Sequence, residues 1–161
     1  MTLPSRPAGW FLLVLRLGLA AVFGYAAWIK LQQPWMLFAF AVDNYHVLPQ
    51  WAVLVVARFL PWFELLLAVV LLIGLWQRIS TAAASALLIL FFSLMVRAYA
   101  RGEAFDCGCF GPGDAISPLT LLRDGGLLAV ALILAIAAWR RSKTAPRTPE
   151  IVDSPKELHR S

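Results

Sequence analysis

The sequence has few charged residues for its length. They make up 14% of 161 residues, whereas about a quarter of a typical soluble domain is charged. Because 61% of the residues are hydrophobic and the mean hydropathy is +0.76, this shortage excludes an ordinary soluble domain and indicates a membrane protein. One domain is the natural expectation at this length.

Acidic residues are scarcer than basic ones, and the net charge is +5. Much of the surplus follows the last apolar run, in a tail at 140–161 that contains acidic residues but no Phe, Tyr or Trp. A basic tail of this kind is typical of a solvated segment beside a membrane. The sequence therefore predicts a disordered cytoplasmic tail and no nucleic-acid partner.

Four apolar stretches are long enough to cross a lipid bilayer, since a hydrocarbon core of about 30 Å needs roughly 20 helical residues. They predict an all-α fold, an integral membrane four-helix bundle at 10–139 after a cytoplasmic N-terminus at 1–9. Arg16 interrupts the first stretch, which continues to Trp28, so we interpret it as a retained span and not as a signal peptide. The predicted spans are 10–30, 52–76, 79–99 and 118–139.

Basic residues predict the orientation of the spans. The basic tail belongs in the cytoplasm by the positive-inside rule, and four spans return the N-terminus to the same side of a bacterial inner membrane. Two loops, 31–51 and 100–117, then face the periplasm. The first is rich in aromatic residues and predicts a short interfacial helix near 34–42, followed by a turn at 43–44.

Both cysteines of the chain, Cys107 and Cys109, lie in the second outer loop with Gly108 between them. The periplasm is oxidising, and thiol pairs there exist as disulfides or exchange partners. A Cys107–Cys109 disulfide would close a very small ring, in which strain makes the bond easy to reduce. Gly108 can adopt the unusual backbone angles of such a ring. The pattern therefore favours a labile pair that exchanges with another dithiol.

Two other interpretations of the cysteines stay open. The cysteines can simply fix the loop of a non-enzymatic assembly or anchoring subunit. They can also bind a soft metal such as Cu(I) as thiolates, which would make the protein a metal carrier. Of the two histidines only His46 would assist, because His159 is predicted to lie on the other side of the membrane.

Five charged residues within the spans are predicted to form a polar pocket near the cysteines: Arg58, Glu64, Arg97, Arg123 and Asp124. Charges inside a span are costly and usually face the bundle interior or a wet cavity. We expect Asp124 to pair with Arg58 or Arg97. Glu64 is a candidate for proton transfer or contact with a membrane quinone, and pairing with an arginine of another span is the alternative.

Three segments resemble the MauE/DoxX family of small four-span membrane proteins: YAAWIKLQQPWMLFAFAVDNYHVLP, ARFLPWFELLLAVVLLIG and RGEAFDCGCFG followed by LLRD. The resemblance covers 16–139 and is greatest to the MauE branch. It implies a redox-associated membrane protein with Cys107 and Cys109 as the redox pair. Glu64, Arg123 and Asp124 are polar family positions to which it assigns no role.

The leading hypothesis joins these observations. The protein would support disulfide formation or maturation of exported proteins, as in the maturation of methylamine dehydrogenase to which the MauE branch is linked. Its partner would be a thioredoxin-like or disulfide-rich periplasmic protein. No cofactor is predicted apart from a membrane quinone, the candidate acceptor of the electrons.

Overall fold

The structure, a computed structural model, describes residues 7–103, 105–108, 110 and 114–143, with side chains described between residues 9 and 140 of these ranges. This part of the chain contains no regular strand, and its one isolated β-bridge joins Asp106 to Ala115. Its helices are α1 Pro7–Gln32, α2 Trp35–Asp43, α3 Gln50–Ile73, α4 Gln77–Ala100 and α5 Pro118–Lys143.

Four of these helices are long and apolar enough to cross a membrane. Each candidate span has 23 or 24 residues, which is about 35 Å of helix and sufficient for the hydrocarbon core. The predicted all-helical, four-span architecture is thereby confirmed. The spans are Gly9–Gln32 in α1, Gln50–Ile73 in α3, Gln77–Ala100 in α4 and Pro118–Arg140 in α5.

The second span ends earlier than the sequence predicts. α3 stops at Ile73 instead of continuing to 76, because Gly74 adopts a left-handed backbone with φ +80°. Its N–H donates to the carbonyl of Val70 at 3.0 Å, which satisfies a carbonyl at the helix end.

The last helix is longer than expected. α5 continues to Lys143, four residues beyond the predicted end of the fourth span at 139. The residues before Pro7 and after Lys143, which include most of the predicted N-terminal segment and tail, lie outside the described residues.

An apolar core holds the four spans together. Leu19 and Phe23 of α1 pack with Leu71 of α3, Ala84 of α4 and Ala131 of α5, and all five are buried. α1 and α3 also approach closely, since a Cβ on Gly24 would lie 3.7 Å from that of Ala68. Small residues permit such close packing between membrane helices, where burial from water supplies little driving force.

The short helix α2 lies against the N-terminal half of α3. Phe38 and Val42 of α2 pack on Val53 and Ala57 of α3, whereas Phe40 is exposed. A turn follows at 44–45, so the helix and turn predicted for the first outer loop are both present, with the turn one residue later. One face of α2 is thus buried in the fold, and its other face carries exposed apolar side chains.

Candidate functional site

A buried ion pair joins the first two spans. The Lys30 ammonium donates to both carboxylate oxygens of Glu64, with Nζ–O distances of 2.7 and 2.8 Å. The side chains are 4% and 5% exposed. Phe38 and Phe91 face the ammonium, with ring centroids 5.1 and 6.0 Å from Nζ. The partner of Glu64 is therefore a lysine of α1, and not the arginine that the sequence suggested.

A second cluster of charges fixes the connection between α4 and α5, residues 101–117, which we call the cysteine loop. Both terminal nitrogens of Arg123 donate to the Asp114 carboxylate, at 2.8 and 3.2 Å. Its Nε donates to Asp124 at 3.0 Å, and the Phe110 ring lies 4.3 Å from the guanidinium carbon. One arginine thus ties the loop to the start of α5 through a bidentate contact.

Cys107 is buried in the fold, with 1% of its surface exposed. Its N–H donates to the Asp114 carbonyl at 3.0 Å, and its carbonyl accepts from the Tyr45 hydroxyl at 3.1 Å. Its sulfur lies 3.4 Å from Oδ2 of Asp114. Cys109, the other half of the predicted pair, lies outside the described residues.

Gly108 allows the cysteine loop to approach α2 closely. Its φ is +74°, the left-handed backbone expected of the residue between the cysteines. A Cβ there would lie 3.0 Å from the Cβ of Ala41 and 3.4 Å from the Phe38 ring. Only glycine fits this approach without a shift of the neighbours.

An open cleft of about 420 Å³ lies between the end of α1, α2 and the cysteine loop. Its volume falls in the range of typical ligand pockets, roughly 300–1,000 Å³. The walls combine aromatic and polar side chains, and Gly108 forms part of one wall. They include Lys30, Phe38, Phe40, Asn44 and Asp106.

A second, narrow cavity of about 40 Å³ lies among the four spans. Leucine and phenylalanine side chains form most of its wall, and Lys30, Glu64 and Asp124 form the polar part. A cavity of this size can hold a few water molecules, each of which needs about 10–15 Å³.

The predicted polar pocket is thus only partly assembled. Glu64 and Asp124 line the same narrow cavity. Arg58 and Arg97 are exposed and line neither cavity, and the partner of Asp124 is its chain neighbour Arg123.

Two functional candidates were not identified from the sequence. The sequence does not identify Lys30 as the partner of Glu64, because 34 residues separate the two positions. Asp114 was assigned no role, since it lies in an irregular loop where no periodicity marks its neighbours. One sequence feature could have pointed to Asp114, namely its position between the cysteines and Arg123.

The described residues contain no group of three His, Cys, Asp or Glu side chains placed to hold a metal ion. His46, the histidine that the sequence places near the cysteines, is exposed, and its Nδ1 lies 2.8 Å from the carbonyl of Asn44.

Together these features define a small multi-pass membrane protein whose cysteine loop is anchored beside a layer of buried charges. The family model for methylamine utilisation protein MauE matches residues 8–137, so the chain belongs to the MauE family. No solved structure matches the chain.

Three curated relatives carry the name methylamine utilization protein MauE. The one from Paracoccus denitrificans is 39% identical over 126 residues, covering 76% of this chain and 66% of the relative. That from Methylorubrum extorquens is 35% identical over 97 residues, or 58% and 52% of the two chains. The relative from Methylophilus methylotrophus is 33% identical over 103 residues, which cover 63% of this chain and 54% of the relative. The chain spans about half to two thirds of their lengths.

The buried ion pair gives a first prediction. Lys30→Met should lower the free energy of unfolding by about 3–5 kcal/mol, because it leaves the Glu64 carboxylate buried without its cation. Lys30→Met combined with Glu64→Leu should recover most of the loss. Thermal unfolding of the purified protein in detergent measures both, with the exposed Arg58→Gln on α3 as the control. A double variant whose loss in free energy of unfolding equals the sum of the losses from Lys30→Met and Glu64→Leu alone would contradict the pairing.

Gly108 gives a second prediction. Gly108→Ala and Gly102→Ala should each destabilise by about 1–2 kcal/mol, since both positions have a left-handed backbone. Gly108→Ala should lose about 1–3 kcal/mol more, because only its added methyl meets a close neighbour. Thermal unfolding compares the two variants. Equal losses would show that the cysteine loop does not press on α2.

Proposed function

We propose that the protein carries out thiol–disulfide exchange through Cys107 and Cys109. The observation that supports this most directly is the contact between the sulfur of Cys107 and the Asp114 carboxylate, 3.4 Å apart. This carboxylate is itself held by Arg123. A carboxylate beside a thiol can accept its proton, and the thiolate is the form that attacks a disulfide.

The cysteine loop faces the periplasm in this proposal, and both chain ends face the cytoplasm of a bacterial cell. The support is the distribution of basic residues, which is densest after the fourth span. The oxidising periplasm would keep the pair available for exchange.

The chemistry is a two-electron transfer. When the Cys107–Cys109 disulfide meets a client dithiol, one client thiolate attacks it and forms a mixed disulfide. The second client thiolate displaces the protein's cysteine, which leaves an oxidised client and a reduced pair. A disulfide of a thioredoxin-like partner then re-oxidises the pair by the reverse sequence and becomes a dithiol.

The open cleft supports a protein partner. It has room for an extended peptide segment, and its wall includes Gly108, which lies between the two cysteines. Phe38 and Phe40 offer apolar contacts, and Asn44 and Asp106 offer hydrogen bonds. A segment bound there would bring its own cysteine close to the pair.

A protein acceptor of electrons is better supported than a quinone. The cavity that contains Glu64 and Asp124 measures about 40 Å³, which suits water and not a quinone ring. Arg58 and Arg97, the other proposed contacts, are exposed and do not line it. A quinone bound in this narrow cavity would require the spans to separate.

The names of the relatives suggest the clients. Proteins of the family act in methylamine utilisation by name, so we propose that the clients here are exported, disulfide-rich proteins such as those that oxidise amines.

A structural role is the second candidate, favoured by the burial of Cys107. In that case the cysteines would fix the loop of an assembly subunit and would not react.

Cysteine substitution separates these candidates. Cys107→Ser or Cys109→Ser should abolish disulfide formation in a secreted reporter enzyme while the protein keeps its normal amount in the membrane. Ala115→Ser, at an exposed position of the same loop, serves as the control. Loss of the protein from the membrane, with reporter disulfide formation unchanged per molecule of the protein that remains, would support the structural role. Cu(I) that is bound to the unmodified purified protein and absent from the cysteine variants would support a metal carrier.

A further inference from the structure

We propose that Asp114 is the proton acceptor of the Cys107 thiol and that Arg123 positions it for this task. The proposal deepens the proposed function and rests on it. It assigns a role to the carboxylate that contacts the reacting sulfur and to the arginine that binds this carboxylate.

The contact is held by the side chains. Oδ2 of Asp114 lies 3.4 Å from the Cys107 sulfur and 2.8 Å from Nη2 of Arg123. Oδ1 lies 3.2 Å from Nη1. Since the guanidinium binds both oxygens, the carboxylate cannot rotate freely away from the sulfur.

The main chain holds the contact independently. The Cys107 N–H donates to the Asp114 carbonyl at 3.0 Å, and the Ile116 N–H donates to the Phe105 carbonyl at the same distance. These bonds flank the β-bridge between the two sides of the loop. The sulfur and the carboxylate are therefore fixed by backbone pairing as well as by the ion pair.

Burial explains why the thiol needs this partner. Cys107 is 1% exposed, whereas the side chain of Asp114 is 19% exposed. Bulk water does not reach the sulfur in this arrangement but does reach the carboxylate. Asp114 can therefore take the proton inside the loop and release it to solvent.

The step in question is the closing of the Cys107–Cys109 disulfide. Because Cys107 is buried, we assign the first attack to the Cys109 thiolate, which breaks the partner's disulfide, forms a mixed disulfide and releases one partner sulfur as a thiolate. Cys107 then gives its proton to Asp114, and its thiolate attacks the Cys109 sulfur. A new S–S bond forms, the mixed disulfide breaks, and the partner's sulfur leaves with the electron pair as a thiolate that takes a proton from water.

Several other groups face this site. Arg123 and Asp124 approach from α5, Asp106 is the chain neighbour of Cys107, and the Tyr45 hydroxyl bonds to the Cys107 carbonyl. The residues of α4 that pack on Cys107 include Met95 and Ala98, which do not titrate.

The test follows the reduced, purified protein as it reacts with one equivalent of 4,4′-dithiodipyridine between pH 5 and 9. Release of the first thiopyridone reports the attack of Cys109, and release of the second reports closure of the disulfide. Asp114→Asn should slow the second phase about 100-fold at neutral pH and leave the first unchanged, since general base catalysis contributes about 10²–10⁴-fold. The remaining second phase should rise with hydroxide concentration, about tenfold per pH unit.

Three variants test the role of the carboxylate against a loss of loop structure. Glu103→Gln removes a carboxylate elsewhere in the cysteine loop, at a residue that lines neither cavity, and should leave the second phase within about twofold of the original rate. Asp114→Glu should restore part of it. Arg123→Gln should slow it less than Asp114→Asn does, without the hydroxide dependence, because the carboxylate is still present.

The outcomes are distinguishable. If the unmodified protein shows no second phase, the pair does not close, and both the proposed function and the role of Asp114 are overturned. If it shows both phases and Asp114→Asn leaves the second unchanged, only the role of Asp114 is overturned. The role of Asp114 alone is likewise overturned if Asp114→Asn and Arg123→Gln slow both phases equally and leave the pH dependence unchanged.

Discussion

The Arg123–Asp114 ion pair is the contact on which the candidate site depends. The cysteine loop has no regular structure in its described part beyond one β-bridge, so side-chain contacts must supplement its few backbone hydrogen bonds. Arg123 is 39% exposed, and an exposed ion pair alone contributes at most about 1 kcal/mol. Its effect here comes from the bidentate geometry and from the supporting contacts of Tyr45 and Gly108. Together they fix the sulfur of Cys107 against a carboxylate.

The charges buried in the bundle form a layer between the apolar core of the spans and the cysteine loop. Lys30 and Glu64 neutralise one another between α1 and α3, and Asp124 is neutralised by Arg123. A charge left alone at this depth would be costly, by about 2.5–3.5 kcal/mol on insertion scales, so the Lys30–Glu64 pair also fixes which faces of α1 and α3 meet. Lys30 lines both the open cleft and the narrow cavity, which makes the ion pair the boundary between them.

Much of the fold could be predicted because it depends on local properties of the chain. The length of each apolar run predicted a span, and the aromatic residues near Trp35 predicted α2. The site was less predictable. Spans that are apolar on all sides do not reveal which face is interior, so Arg58 and Arg97 could not be recognised as exposed. The pairing of Lys30 with Glu64 depends on how α1 and α3 pack, and the two residues are 34 positions apart in the sequence.

The redox state of the cysteine pair in living cells tests the central claim most directly. Acid quenching followed by alkylation with a reagent that adds mass to each free thiol would separate oxidised from reduced protein. The account predicts both forms in growing cells, a shift to the reduced form during a brief pulse of dithiothreitol, and rapid return to the oxidised form after its removal. A membrane-impermeant thiol reagent applied from outside should label Cys109 of the reduced protein, whereas the buried Cys107 should react slowly. A pair that stays reduced under every condition, or that reacts only from the cytoplasmic side, would contradict the account.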